Sequence, residues 1–413
     1  PVLAGLGQAR LGPNVPLALQ VAGASFTLPS GGLGTVPSSA AAAALNITVV
    51  NPSAPGFITA WPCGLPRPLA SNINFEAGST IPNGVIASLG SDGAACLYSS
   101  VETDIVVDLA GWFDAEAYQG ATPVRLVDTR DGTGAPLGLT NSAAPIQVPV
   151  ASLPVTSALG AAMAIPGDVG AVALNVTAVE PTDPGYITVW PCEAGRPNAS
   201  NLNFMPGDII ANGVIAPAGS NGVVCAFSSA PTHMIVDLAG WFPGDTFTGM
   251  TPTRLLDTRD GDGAKVPTGG VVEVETRRPG LATSSDAAAL SLNVTVTEAE
   301  GPGYLTVWPC DVDRPNASNL NYVAGQTIAN NVMTTIGASG KVCAFASAPT
   351  HVIVDIAGWV NGSGEKTTFS GVKPTRVGDT RTGQWLGSST RDTDRDGVSD
   401  AEDTAPLDSS KGN

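Results

Sequence analysis

Apolar and polar residues alternate along Leu292-Asn293-Val294-Thr295-Val296-Thr297, the pattern of a strand with one face buried and the other in solvent. Residues 304–308 are β-branched and aromatic, and Pro309, which cannot extend a central strand, stops them. Residues 319–322 alternate again. Short apolar runs follow at 332–336 and 342–345, separated by a Gly-bounded stretch at 337–340 in the manner of a hairpin turn. Residues 352–356 are nearly continuously apolar, as expected of a strand covered on both sides. Seven or so short strands without an amphipathic helix predict an antiparallel β-sandwich.

The same words are written three times. In the middle copy they are Leu174-Asn175-Val176-Thr177, Gly185-Tyr186-Ile187-Thr188-Val189-Trp190-Pro191-Cys192, Arg196-Pro197-Asn198-Ala199-Ser200-Asn201, Val236-Asp237-Leu238-Ala239-Gly240-Trp241 and Arg254-Leu255-Leu256-Asp257-Thr258-Arg259. Counterparts start at Leu45 and Leu292, at offsets of 129 (174 − 45) and 118 (292 − 174) residues. So long a period belongs to a small domain, not to a solenoid repeat. The expected all-β architecture is therefore three tandem antiparallel β-sandwiches with one disulfide each, over 1–120, 121–249 and 250–371. Residues 372–413 then hold a last Asp-Thr-Arg segment and an acidic tail. Residues 1–44 are rich in Gly, Ala, Pro and Ser, with one strand near 17–21, and the alanines at 40–44 read as the approach to the Leu45 strand.

Pattern alone leaves open whether each Asp-Thr-Arg segment (125–130, 254–259 and 376–381) closes the sandwich before it or opens the next. Ahead of the first repeat stands only a remnant, Leu6-Gly7-Gln8-Ala9-Arg10, while a full copy follows the third. If the segment belongs to the sandwich after it, the last copy could dock on the first domain of the next chain. Such a contact is head-to-tail, and it grows into a filament unless the rotation closes a ring. Strand addition would also hide an aggregation-prone edge.

Composition narrows the class. Of 413 residues only 13% are charged and 5% aromatic, while 49 Gly and 34 Pro supply the turns of a short-stranded β protein. A net charge of −17 offers no basic stripe for nucleic acid. No window of 18 apolar residues spans a membrane. The chain starts at Pro1 without a signal peptide, as a processed or excerpted chain would. Its six cysteines fall two to a repeat, each pair 33 residues apart (96 − 63, 225 − 192, 343 − 310). Zinc would want four clustered ligands, and the chain has two histidines. The equal spacings point instead to the disulfides Cys63–Cys96, Cys192–Cys225 and Cys310–Cys343, and to an extracellular location.

The acidic tail carries the strongest chemical motif. Asp392, Asp394 and Asp396 occupy positions 1, 3 and 5 of a calcium loop, with Gly397 at the turn, the Val398 carbonyl at 7, Asp400 at 9 and Asp403 at 12. Calcium is the one cofactor expected, against the alternative of a solvated acidic linker. Asp403 replaces the usual bidentate Glu and no flanking helices are evident, so the segment resembles a thrombospondin type 3 calcium repeat more than a helix-loop-helix hand.

Other chemistry is sparse. His233 and His351 occupy one repeat position, which Asp104 fills in the first repeat, so they read as loop residues at a strand entry. No Ser/His/Asp set, glutamate pair or phosphate-binding loop recurs, so no catalytic residue is assigned and no enzyme is expected. The Asp-Thr-Arg arginines could hold a carboxylate or phosphate ligand. The stronger expectation pairs them with Asp108, Asp237 and Asp355, charges set inside apolar runs. Trp61, Trp190 and Trp308 are expected to pack on the disulfides, and Trp112, Trp241 and Trp359 to cap the cores, with a sugar-binding platform of exposed Trp as the weaker alternative. Six sequons occur, at Asn46, Asn175, Asn198, Asn293, Asn316 and Asn361.

Together these words resemble a tandem repeat of secreted and cell-surface proteins of actinobacteria and related bacteria. The likeness covers most of residues 45–381, and the first repeat departs most, with Leu69 where the others have Asn. The resemblance implies an extracellular β-domain, often accessory to other modules, and no catalytic residues. The expected function is an extracellular structural or adhesive protein, self-assembling head-to-tail as a filament subunit. The alternative is a carbohydrate-binding or scaffold module of a larger surface enzyme, with surface polysaccharide as its partner.

Overall fold

The computed structural model describes residues 3–4, 10–14, 16–27, 33–140, 142–260, 262–277, 283, 287–363, 366–367 and 369–385. These residues are all-β, with no helix among them. Each repeat builds two sheets around its own apolar core. In the second repeat one sheet runs Gln119–Asp128, His233–Phe242, Ala171–Val179, Ile209–Pro217, and the other Ile146–Pro149, Val223–Ser228, Gly185–Pro191, Leu202–Phe204. The disulfides Cys63–Cys96, Cys192–Cys225 and Cys310–Cys343 each tie neighbouring strands of the second kind of sheet. Beside them lie Trp61, Trp190 and Trp308, whose indole N–H groups donate to the carbonyls of Leu65, Ala194 and Val312. Trp112, Trp241 and Trp359 pack on the three repeat cores.

Three independent tandem sandwiches are not what forms. Six small sheets, two from each repeat, make one closed, propeller-like arrangement, and two findings overturn the beads-on-a-string expectation. The first is strand sharing. Gln119–Asp128 pairs with His233–Phe242 of the second repeat, and Phe247–Asp257 with His351–Ser363 of the third. Phe369–Asp379 returns to Asp104–Asp114 of the first repeat in the same chain. Each Asp-Thr-Arg segment thus completes the next sheet around, and the last one closes the circle.

The second finding is where the alternate residues point. In Ala40–Val50, Ala43, Leu45, Ile47 and Val49 face the core of their own repeat, while Ala42 and Ala44 join an apolar cluster built from all three repeats. That cluster gathers Phe113, Tyr118, Phe242, Phe247 and Phe369 about the axis of internal symmetry. The Asn and Thr of the Leu-Asn-Val-Thr word share the axis-facing side and are buried: Asn46, Thr48, Asn175, Thr177, Asn293 and Thr295. An alternating pattern looks the same whether its polar face meets water or a satisfied polar interior, and here it meets the neighbouring repeats.

Hydrogen bonds account for the burial of the asparagines, whereas the hydroxyls of Thr48 and Thr177 find no partner among the described residues. The Asn83 side-chain amide donates to Asn175 Oδ1 (2.9 Å) and its Oδ1 accepts from Gly213 N (2.8 Å), while Asn175 Nδ2 donates back to the Ser71 carbonyl (2.6 Å). At the next junction Asn212 meets Asn293 Oδ1 and Asn331 N, and Asn293 returns to Ser200. At the third Asn330 meets Asn46 Oδ1 and Gly84 N, and Asn46 returns to Ser318. Backbones come so close here that a Cβ on Gly84 would lie 2.1 Å from the Asn331 carbonyl oxygen, and one on Gly213 2.1 Å from that of Gly84. Glycine is required at both.

Replacing Asn83 by Ala orphans Gly213 N–H and Asn175 Oδ1 inside the molecule. At roughly 1–3 kcal/mol for each buried group left unpaired, the expected loss is on the order of 2–6 kcal/mol. Because the repeats interlock, urea denaturation followed by tryptophan fluorescence should show one transition moved to lower urea. Two separate transitions, with one repeat melting alone, contradict the closed arrangement.

Candidate functional site

The chemistry of the chain concentrates where each Asp-Thr-Arg strand crosses from one repeat to the next. Arg125 stands opposite Asp237 in the strand register, and its Nε donates to Asp237 Oδ1 (2.8 Å) while Nη1 donates to Asp128 Oδ2 (2.8 Å). Arg130 grips Asp128 with two parallel bonds, Nε to Oδ1 (2.9 Å) and Nη2 to Oδ2 (2.7 Å). The other segments repeat the arrangement: Arg254 pairs with Asp355 and Asp257, Arg259 with Asp257, Arg376 with Asp108 and Asp379, and Arg381 with Asp379. The pairing expected for Asp108, Asp237 and Asp355 is therefore the one present.

Environment splits the acids into two sets. Burial pushes the carboxyls of Asp108, Asp237 and Asp355 up, and their arginines oppose this without cancelling it. The bidentate arginines win at the strand ends. Arg130 holds Asp128 well below the usual carboxylate range, and Arg259 brings Asp257 to about 2.

Between them sits the Thr of each segment. Thr129 Oγ1 lies 3.2 Å from His233 Nδ1, and Thr258 Oγ1 3.1 Å from His351 Nδ1. In the first repeat Thr380 Oγ1 donates to Asp104 Oδ1 (2.8 Å), so Asp and His exchange at a position whose task is to meet this hydroxyl. Both histidines are thereby placed at strand entries and tied to the closing strand.

At the junction of the first two repeats these strands border a groove of about 290 Å³. Phe57, Arg67, Pro68 and the loop to Asn74 form one wall, and Arg125, Arg130, Thr177, Ile209 and Ile235 the other. The Arg67 guanidinium lies 3.6 Å over the Tyr98 ring, and Tyr98 packs against Phe57 at 6.1 Å. Arg125 Nη2 reaches across to the Leu69 carbonyl (3.1 Å), leaving the Leu69 side chain 93% exposed at the rim. The other repeats carry the same stack, Arg196 over Phe227 (3.9 Å) and Arg314 over Phe345 (3.6 Å).

This set can bind anions and present an aromatic face. The lining holds no carboxylate; the nearby Asp128 and Asp237 are held by the guanidinium groups of Arg125 and Arg130. Among the described residues no cluster of three or more His, Cys, Asp or Glu could hold a metal. The calcium-loop residues Asp392, Asp394, Asp396, Val398, Asp400 and Asp403 lie outside the described residues. Sequence reasoning missed Asn83, Asn212 and Asn330 and gave no role to Arg67, Arg196 and Arg314. The available signals were Asn-Gly in two repeats, with Asn-Asn in the third, and the Arg-Pro pair in all three.

No family model matches the chain, and no curated protein matches it. Two solved structures share a faint likeness with it. One is described as "The Triple Jelly Roll Fold and Turret Assembly in an Archaeal Virus" (10% identity, 86% of this chain and 92% of that one, TM-score 0.19). The other is the cycloalternan-forming enzyme from Listeria monocytogenes in complex with a pentasaccharide substrate (11% identity, 75% of this chain and 29% of that one, TM-score 0.18). At these TM-scores neither likeness carries an argument.

The depressed carboxyls set a pH dependence. An acid whose folded pKa lies below its unfolded value of about 3.9 stabilises the fold above that value, and the contribution disappears as pH falls through the folded pKa. Asp257→Asn should therefore be less stable than the parent at pH 6, with the gap closing between about pH 4 and pH 2. Thermal melts across that range check it, and a gap independent of pH contradicts the assignment.

Proposed function

We propose that this chain is an extracellular structural or adhesive module in which three repeats act as one rigid body. The observation that supports this most is ring closure by Phe369–Asp379 onto Asp104–Asp114, with every cysteine engaged in a disulfide. Such cross-links persist outside a reducing cytosol, and removing one from a small domain typically costs about 2–5 kcal/mol. No helix among the described residues is long and apolar enough to cross a membrane.

The sheet edge that a neighbouring chain's Asp-Thr-Arg segment would need is occupied by the chain's own copy. Filament growth through this strand therefore requires exchange, one chain opening so that its segment replaces that of the next. A closed module is the simpler reading, because the exchanged contacts are the same and loop closure within one chain needs no second molecule. Calcium binding by Asp392–Asp403 remains part of the proposal on the spacing of its carboxylates.

Sedimentation of the full chain should give a monomer. Removing residues 369–413 takes a strand from the first repeat and leaves Asp108 without Arg376, so this form should unfold at lower temperature or associate. Breaking a buried ion pair by removing one partner costs about 3–5 kcal/mol. Regular polymers of the full chain that vanish on this truncation would instead establish strand exchange between copies.

A further inference from the structure

We propose that the groove between the first and second repeats binds a carboxylate-bearing sugar, a uronic acid unit of an acidic polysaccharide. The inference deepens the adhesive reading and names the class of ligand for its surface.

Charge distribution is the first argument. In a chain of net charge −17, three arginines border one cavity of about 290 Å³. The carboxylates beside them leave guanidinium donors to spare. Arg130 gives Asp128 only its Nε and one Nη2 hydrogen, and Arg67 engages Tyr98 through its flat face. Arginine forks suit carboxylate oxygens in geometry and charge.

A second, independent observation is Thr177. The residue lines the groove and is 1% exposed, and its buried hydroxyl has no hydrogen-bond partner among the described residues. An unpaired buried hydroxyl is costly, and a ligand hydroxyl in the groove would satisfy it. Of its two counterparts, Thr48 is unpaired as well, while Thr295 lies 3.5 Å from the Asn293 amide.

The walls select among anions. Phe57 and Leu69 on one side and Ile209 and Ile235 on the other give the groove apolar surfaces, which a pyranose ring can cover and a compact phosphate cannot. The volume is near the lower end of the roughly 300–1,000 Å³ usual for ligand sites, suited to one or two sugar rings. Ligand, arginine and aromatic face would then meet as the rigid junction holds them, with little ordering cost on binding.

Isothermal titration of the full chain with digalacturonate tests this, with neutral digalactoside and inorganic phosphate as comparison ligands. Digalacturonate should bind and weaken with salt, and Arg67→Gln should reduce its affinity by about tenfold, as loss of one charge-assisted contact does. Thr177→Val keeps the side-chain volume and should weaken binding several-fold without lowering the melting temperature, a split that a purely structural role does not give. No binding by the parent chain, binding unchanged in Arg67→Gln, or equal binding of digalactoside or phosphate overturns the proposal. Sedimentation before any ligand is added reports separately on the closed module, so loss of this inference leaves that reading standing.

Discussion

One polar row crosses each axis-facing sheet, and the closed arrangement depends on it. In strand register it reads Arg376–Asp108–Asn46–Gly84 in the first repeat, Arg125–Asp237–Asn175–Gly213 in the second and Arg254–Asp355–Asn293–Asn331 in the third. Each row buries a carboxylate and an amide that water would otherwise solvate. Their partners come from the strand completing the sheet and from the adjoining repeat, so an isolated repeat leaves this row unsatisfied. Apolar burial supplies most of the driving force, but it is not directional, and three greasy faces could meet in several registers. The amides allow one. Each of Asn83, Asn212 and Asn330 is fixed to a backbone N–H and a side-chain oxygen across its junction.

Strand sharing follows from the same row. The arginine that balances each buried aspartate sits on the strand that arrives from the preceding repeat, so sheet completion and charge compensation are one event. For Asp108 the arginine is 268 residues away, and the first repeat cannot reach its final state until the chain end returns. Contacts of such sequence separation carry a high loop-closure cost before they gain anything, and chains dominated by them fold slowly. The disulfides, each closing 33 residues within one repeat, lower the entropy of the open chain where that cost is incurred.

Most local structure was legible in the sequence, and the global arrangement was not. Val-Asp-Leu-Ala-Gly-Trp and Leu-Asn-Val-Thr announced strands, and the aspartates inside apolar runs called for arginines. What misled was the alternation itself. Asn175 and Thr177 look like a solvent face because periodicity reports which residues differ from their neighbours, not what lies beyond them. The ring was hinted at by inventory: one remnant segment ahead of the first repeat and one surplus copy after the third. Whether the surplus closes on its own chain or on another depends on the rotation between repeats, which side-chain volumes near Gly84, Gly213 and Phe113 set and no pattern encodes. For the calcium loop, Asp392 to Asp403, spacing is still the only argument.

The departures from symmetry carry their own information. At the axis, Gly84 and Gly213 are matched by Asn331, so this crowded place tolerates one Cβ among its three strands, and the Asn331 carbonyl is the atom that forbids one on Gly84. That exception is compatible with the amide network, since Asn331 still donates its backbone N–H to Asn212 Oδ1 at 3.1 Å. At the rim, Leu69 replaces an asparagine without disturbing the frame, because Arg125 uses only its carbonyl. The frame thus rests on main-chain and amide contacts that three slightly different sequences can all make. The Leu69 side chain is left free of it, so this position can change without loosening the ring that aligns the repeats.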